Sequence, residues 1–171
     1  GVKVDGKQVK GPWEQRWVLR GEEAEVFTAA GAQSVQWETF GAGAAKDPLL
    51  WLKGSLDLPQ GDNVSFALDL SSMSKGVAYV NGFHIGRYWL KNGKCDGTCA
   101  PPVKNGHCYM HWQNCGKPTQ SLYHVPTGVL KPAGNLVVLF EEAAPASARD
   151  PFSVRLVALA PHGSAPSAVL V

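Results

Sequence analysis

The tripeptide Arg87-Tyr88-Trp89 closes the run GVAYVNGFHIGRYW, which starts at Gly76 and also carries Asn81 and His84. A saccharide ring offers an apolar face to Trp or Tyr, while its hydroxyls bond to Arg, Asn and His. These side chains on one short stretch therefore have the composition of a sugar platform. Trp112, with Tyr109 and His111 beside it in CYMHWQNC, adds a further aromatic beyond. The same cluster would equally plug the edge of a sandwich or meet a neighbouring domain, with Arg87 paired to Asp69 or Glu141. The core or contact role is the favoured reading of Trp89, and direct sugar contact the second.

Bond-breaking chemistry finds less support. A retaining glycosidase needs two carboxyl groups about 5 to 5.5 Å apart and aimed at one bond. The adjacent glutamates are Glu22-Glu23 and Glu141-Glu142. Neighbours on a strand point to opposite faces, so neither pair converges if strand-borne, and a solvated strand end is the simpler reading. There is no G-x-S-x-G elbow for a nucleophilic serine, and no G-x-G-x-x-G or P-loop for a nucleotide. The sequence calls for no cofactor.

Cys95, Cys99, Cys108 and Cys115 all fall within one Gly/Pro/Asn-rich stretch. An even count in an irregular segment suits two disulfides that staple a loop with little core of its own. Asn63-Val64-Ser65 is an N-glycosylation sequon. Both features favour an oxidising, secretory environment, extracellular or in a cell wall or vacuole. Zinc held by the thiolates with His107 or His111 is the rival reading, but C-x3-C and C-x6-C are not the usual paired knuckles.

The elements that must position these residues are short strands. Asn81-Gly82 sits between two apolar arms, and a type I′ turn needs positive φ at both of its central positions, so Gly76–Trp89 predicts a β-hairpin. Ser34–Phe40 alternates as a strand, and Leu49–Leu58 is long enough for one bent strand with Gly54 as a bulge. Asn63–Leu70 places Val64, Phe66, Leu68 and Leu70 on one face. Ser121–Val125 follows, then Leu136–Phe140, whose continuous apolar run suits a strand buried on both faces, then Phe152–Leu159. Trp13, Trp17 and Val18 would supply an edge strand near the start. No convincing 3.6-residue periodicity appears. Many short strands spaced by turns predict an all-β chain: a two-sheet antiparallel sandwich, plausibly a jelly roll.

Bulk properties agree. At 171 residues, with 44% hydrophobic and 18% charged residues, the chain suits one domain with a real core. Nineteen glycines and twelve prolines fit turn-rich β structure better than helices. The net charge of +2, without a basic block, gives no case for nucleic acid. No apolar run approaches the roughly 18 to 20 residues that cross a bilayer. A chain opening on Gly1 reads as a piece of something longer. The expected division is 1–33 as linker and edge region, 34–160 as the sandwich, and 161–171 as a flexible tail.

The segment PLLWLKGSLDLPQGDNVSFALDLSSMSKGVAYVNGFHIGRYW, followed by the cysteine loop, NCGKPTQSLYHVP and LKPAGNLVVLFEE, resembles the carboxyl-terminal sandwich of glycoside hydrolase family 35 β-galactosidases, especially the plant and algal kind. WVLRGEEAEVFTAAGAQSVQW is similar to the linker strand that precedes it there, so the likeness runs from about Trp17 to Leu159. It implies a galactose-binding-like, non-catalytic domain, since hydrolysis in that family belongs to a (β/α)8 barrel with two glutamates that nothing here resembles. The domain would belong to a β-galactosidase, or to a relative that has lost the barrel and reuses the sandwich as a structural or interaction protein in an extracellular assembly. The implied partners are that barrel and its companion domains, a structural partner protein, or a galactose-containing glycan. Sandwiches of this kind often hold a structural calcium, for which Asp57, Asp62 and Glu142 are the carboxylates at hand.

Overall fold

A computed structural model describes residues 2–12, 14–15, 17–39, 48–60, 64–93, 117–143 and 153–159. In chain order they form strands β1 (Val2–Val4) and β2 (Lys7–Val9), helices α1 (Arg20–Glu23) and α2 (Ala29–Ser34), then β3 (Leu50–Leu56), β4 (Ser65–Asp69), β5 (Lys75–Val80), β6 (Phe83–Trp89), β7 (Leu122–Val125), β8 (Asn135–Glu141) and β9 (Arg155–Leu159). Strands β1 and β2 pair with each other. The remaining seven make a four-stranded sheet, β3-β8-β5-β6, and a three-stranded sheet, β7-β4-β9. Every pairing among them is antiparallel.

One core joins the two sheets. Phe66 and Leu68 of β4, Val125 of β7 and Leu156 of β9 meet Ala78 and Val80 of β5, Tyr88 of β6, and Val137 and Leu139 of β8. Each large apolar side chain withdrawn from water there contributes about 1.5–3 kcal/mol. The period-two pattern read in β4 is what turns Phe66 and Leu68 inward.

The apolar run of β8 is buried on both faces, as its composition implies. Its other face, with Val138, lies under a second layer that includes Val26, Phe27, Val35 and Trp37. Phe27 stacks on Tyr79 with centroids 4.4 Å apart, and Trp51 meets Phe140 at 4.9 Å. Glycine permits the close approach of this layer: a Cβ on Gly21 would lie 2.3 Å from the Trp51 ring. Thr28 caps α2, its Oγ1 accepting from the Gly31 amide at 3.0 Å.

Several expectations need correction. Two short helices occur where none was expected, and Ser34 ends the second of them. Residues 35–39 of the strand predicted at Ser34–Phe40 form no ladder, and Phe40 lies outside the described residues. Val35 and Trp37 do point inward while Gln36 and Glu38 stay exposed; the alternation is real, but the segment packs on a sheet instead of pairing within one. Trp17 and Val18 lie outside any strand, and Trp17 is 85% exposed. Gly54 pairs in register with Val137, so β3 has no bulge. The irregularity lies in the β5–β6 hairpin, between Ala78 and Tyr79.

Candidate functional site

The hairpin turn forms as the sequence requires, with Asn81 at φ 50° and Gly82 at φ 86°. Asn81 works below the turn. Its Nδ2 donates to Val129 O at 2.7 Å and to Asn135 Oδ1 at 2.9 Å, and its Oδ1 accepts from Leu136 N at 2.9 Å. Asn135, fully buried, in turn donates to Leu56 O and Lys131 O and accepts from Lys131 N. This amide therefore clasps the hairpin to β8, apart from the other predicted sugar contacts.

Of those, His84, Arg87 and Trp89 share the outer face of β6. The bulge makes the grouping possible: Tyr79 pairs with His84, Ala78 with Gly86, and Ile85 is the extra residue, with Gly86 at φ 130°. Without it, strict alternation would put even-numbered His84 opposite Arg87 and Trp89. Instead Ile85 packs against the core, and His84 lies against Tyr79 on the outer side at 5.1 Å. Arg87 and Trp89 are exposed, and Tyr88 between them is fully buried, as alternation predicted.

Trp89 is 56% exposed and plugs no edge. Its backbone amide donates to Tyr123 Oη at 3.0 Å, which ties this edge strand to β7 in the other sheet. Lys91 Nζ lies 5.4 Å and Lys75 Nζ 6.0 Å from its ring centroid, within cation–π range. Arg87 does not pair with Asp69 or Glu141. It forks onto Glu142, with one nitrogen 2.7 Å from Oε1 and the other 2.7 Å from Oε2, and Lys75 Nζ is 3.3 Å from Oε2. Burial alone would raise the Glu142 pKa, but bonds from Arg87 and Lys75 outweigh it and hold the carboxyl below its ordinary value. Lys75, Lys91 and Glu142 were missing from the sequence-based cluster. Counting back from the turn with the Gly86 bulge allowed for would have found Lys75, the cross-strand partner of Trp89.

Glu141 is no solvated strand end. Its side chain is wholly buried and accepts from Ser74 N at 3.0 Å, Lys75 N at 3.1 Å, Tyr88 Oη at 3.1 Å and Ala143 N at 3.1 Å. The two adjacent glutamates thus serve opposite sides of the sheet, one locking its interior and one bracing its surface. Glu22 and Glu23 sit on α1, where Glu22 accepts from Leu19 N. Neither pair converges on a common point.

The calcium set does not fit. Asp57 binds Gly134 N beside the start of β8, and Glu142 follows its end. The seven residues of β8 at ~3.3 Å each separate them by about 23 Å. Asp62 and the sequon residue Asn63 lie outside the described residues, as do Trp112, Cys95, Cys99, Cys108 and Cys115. Among the described residues no three His, Cys, Asp or Glu side chains group as a metal site, and no helix is long and apolar enough to cross a membrane.

What can this face do? It offers half of a tryptophan ring, a guanidinium–carboxylate pair and two ammonium groups beside that ring, one of them also held by the same carboxylate. A two-sheet sandwich does not by itself decide between recognition and scaffolding. Comparison with known proteins gives the module its family. The family model described as the galactose-binding domain of β-galactosidase matches residues 49–135, just over half of the chain. The chain belongs to that family. Beta-galactosidase 8 of Arabidopsis thaliana is 40% identical over 136 residues, which cover 76% of this chain and 15% of that protein. Beta-galactosidase 3 of Oryza sativa subsp. japonica is 36% identical over 169 residues, covering 92% of this chain and 19% of that protein. The chain thus spans less than a fifth of the length of these relatives.

Proposed function

We propose that this chain is the accessory β-sandwich of a β-galactosidase, steadying a catalytic barrel carried elsewhere in a longer polypeptide. One observation carries the reading: 92% of the chain aligns with only 19% of a rice β-galactosidase. The use of the glutamates agrees, since Glu141 is fixed inside by four donors and Glu142 is held by Arg87 and Lys75. In this reading the chain itself performs no hydrolysis. Its four cysteines pair as two disulfides, Asn63 carries a glycan, and the parent enzyme is secreted. Deleting the region from the parent enzyme tests the reading: melting temperature and activity both fall. Retention of both would refute it.

A second reading, that of a carbohydrate-binding module for galactose-containing glycans, is favoured by the exposed half of Trp89 on the face of β6 that also carries Arg87 and His84. Calorimetric titration of galactose or a galactan into the chain tests it, and absence of heat at millimolar ligand would retire it.

A further inference from the structure

A groove of about 700 Å³ lies on the other side of the four-stranded sheet from the β6 edge, along β3. Leu50, Trp51, Leu52 and Lys53 all line it. Successive strand residues face opposite ways, so a lining of four in a row includes the backbone edge of the strand. That edge terminates the sheet: among the described residues, β8 is the only partner of β3. The facing wall includes residues 35–39, which form no ladder.

The groove is poorly made for a sugar. Stacking needs a free aromatic face. Gly21 and Phe140 lie against Trp51. Lys53 Nζ sits 4.8 Å from the Trp37 ring centroid, and Trp37 Nε1 is bonded to Ala32 O at 2.7 Å. What the groove does adjoin is exposed apolar surface. Leu49, 63% exposed, precedes Leu50, and Trp17, Val18 and Leu19 at 85%, 53% and 40% lead directly into the lining residue Arg20. Leu49 also holds φ at 63°, a conformation uncommon outside glycine. Exposed apolar side chains beside an open strand edge mark an interface for polypeptide.

Resting on the accessory-sandwich reading, we propose that the β3 groove docks another part of the same β-galactosidase polypeptide, an extended apolar segment that runs along β3 and covers Trp17 and Leu49. The occupant follows from the relatives, more than four-fifths of whose length lies outside the region matched here.

Hydroxyl-radical footprinting of the 171-residue chain and of the full-length parent polypeptide tests the assignment. Trp17 and Leu49 react several-fold less in the parent; equal reactivity would overturn it. Leu49→Glu supplies an independent arm, leaving the melting temperature of the isolated chain unchanged and lowering that of the parent; an unchanged parent counts against docking. Two further results would assign the groove elsewhere. Protection of Trp37 by galactan oligosaccharides added to the isolated chain would make it a glycan cleft. A concentration-dependent dimer in sedimentation velocity that Trp17→Ser abolishes would make it a self-association face. If the parent reading frame encodes no other domain, the accessory reading fails as well; if it does and Trp17 stays reactive, docking alone fails.

Discussion

Tyr88 Oη donates to Glu141 Oε2 at 3.1 Å, and both side chains are sealed from solvent. Three strands meet at this contact, since the same carboxylate also accepts from the amides of Ser74 and Lys75 at the head of β5 and from Ala143 beyond β8. Glu141→Gln keeps the shape but places an amide donor among four donors. The expected cost is about 2–4 kcal/mol in urea unfolding, because a buried donor left unpaired is penalised by its full desolvation. Tyr88→Phe removes one donor of four and costs less, on the order of 1 kcal/mol.

Alkaline pH probes the same contact. Burial first, and then the charge of Glu141, push the Tyr88 hydroxyl far above its ordinary value; burial also raises that of Tyr79. A proton that the folded chain keeps and the unfolded chain releases above about pH 10 gives stability that is full below that pH and declines as pH rises past it. Absorbance at 295 nm should show tyrosine that resists titration until the chain unfolds. Tyr88→Phe should flatten the alkaline fall in stability, and an unchanged profile would contradict the assignment.

At the acid end, Asp69 is the group to watch. Burial would raise its pKa, but bonds from Ser71 and the guanidinium of Arg155 prevail and hold it below the ordinary value. A depressed folded pKa gives stability that is present above about pH 4 and lost as pH falls through the folded value. Asp69→Asn should therefore lower stability at neutral pH and narrow the gap from wild type in acid, measured by urea midpoints across pH 2–7.

Gly76 faces Tyr88 on one side and Glu141 on the other in the sheet register. A Cβ there would lie 1.8 Å from Phe140 O and 2.7 Å from Tyr88 Oη. Gly76→Ala must then push β5 away from β8, at an expected cost of about 3 kcal/mol. Gly54→Ala is the control, since a Cβ at Gly54 meets nothing within 4 Å.

Trp89→Ala should leave the urea midpoint near that of wild type, because the ring is 56% exposed. If the carbohydrate-binding reading holds, the same change abolishes the heat of galactan binding. Retention of that heat would move any glycan away from the β6 face.

Local chemistry made much of the sandwich legible. Asn81-Gly82 announced its turn because few residue pairs tolerate two positive φ angles in succession. The run in β8 announced burial on both faces because nothing polar interrupts it until Glu141. The failures share a cause, which is dependence on distant partners. Glu141 reads as a solvated end until Ser74 and Lys75, some 66 residues earlier, bring their amides to it. Val35 and Trp37 alternate as a strand does, yet only tertiary contact decides that they pack on a sheet face without joining a ladder. Arg87 is expected from the sequence to pair with Asp69 or Glu141, but its partner is Glu142, a choice set by the register across β5.

Turnover of a chromogenic β-galactoside by the purified chain, set beside the full-length parent enzyme, tests the central claim most directly. An accessory sandwich gives no release above buffer while the parent hydrolyses the substrate. Release by the chain alone, abolished by Glu142→Gln, would contradict the account.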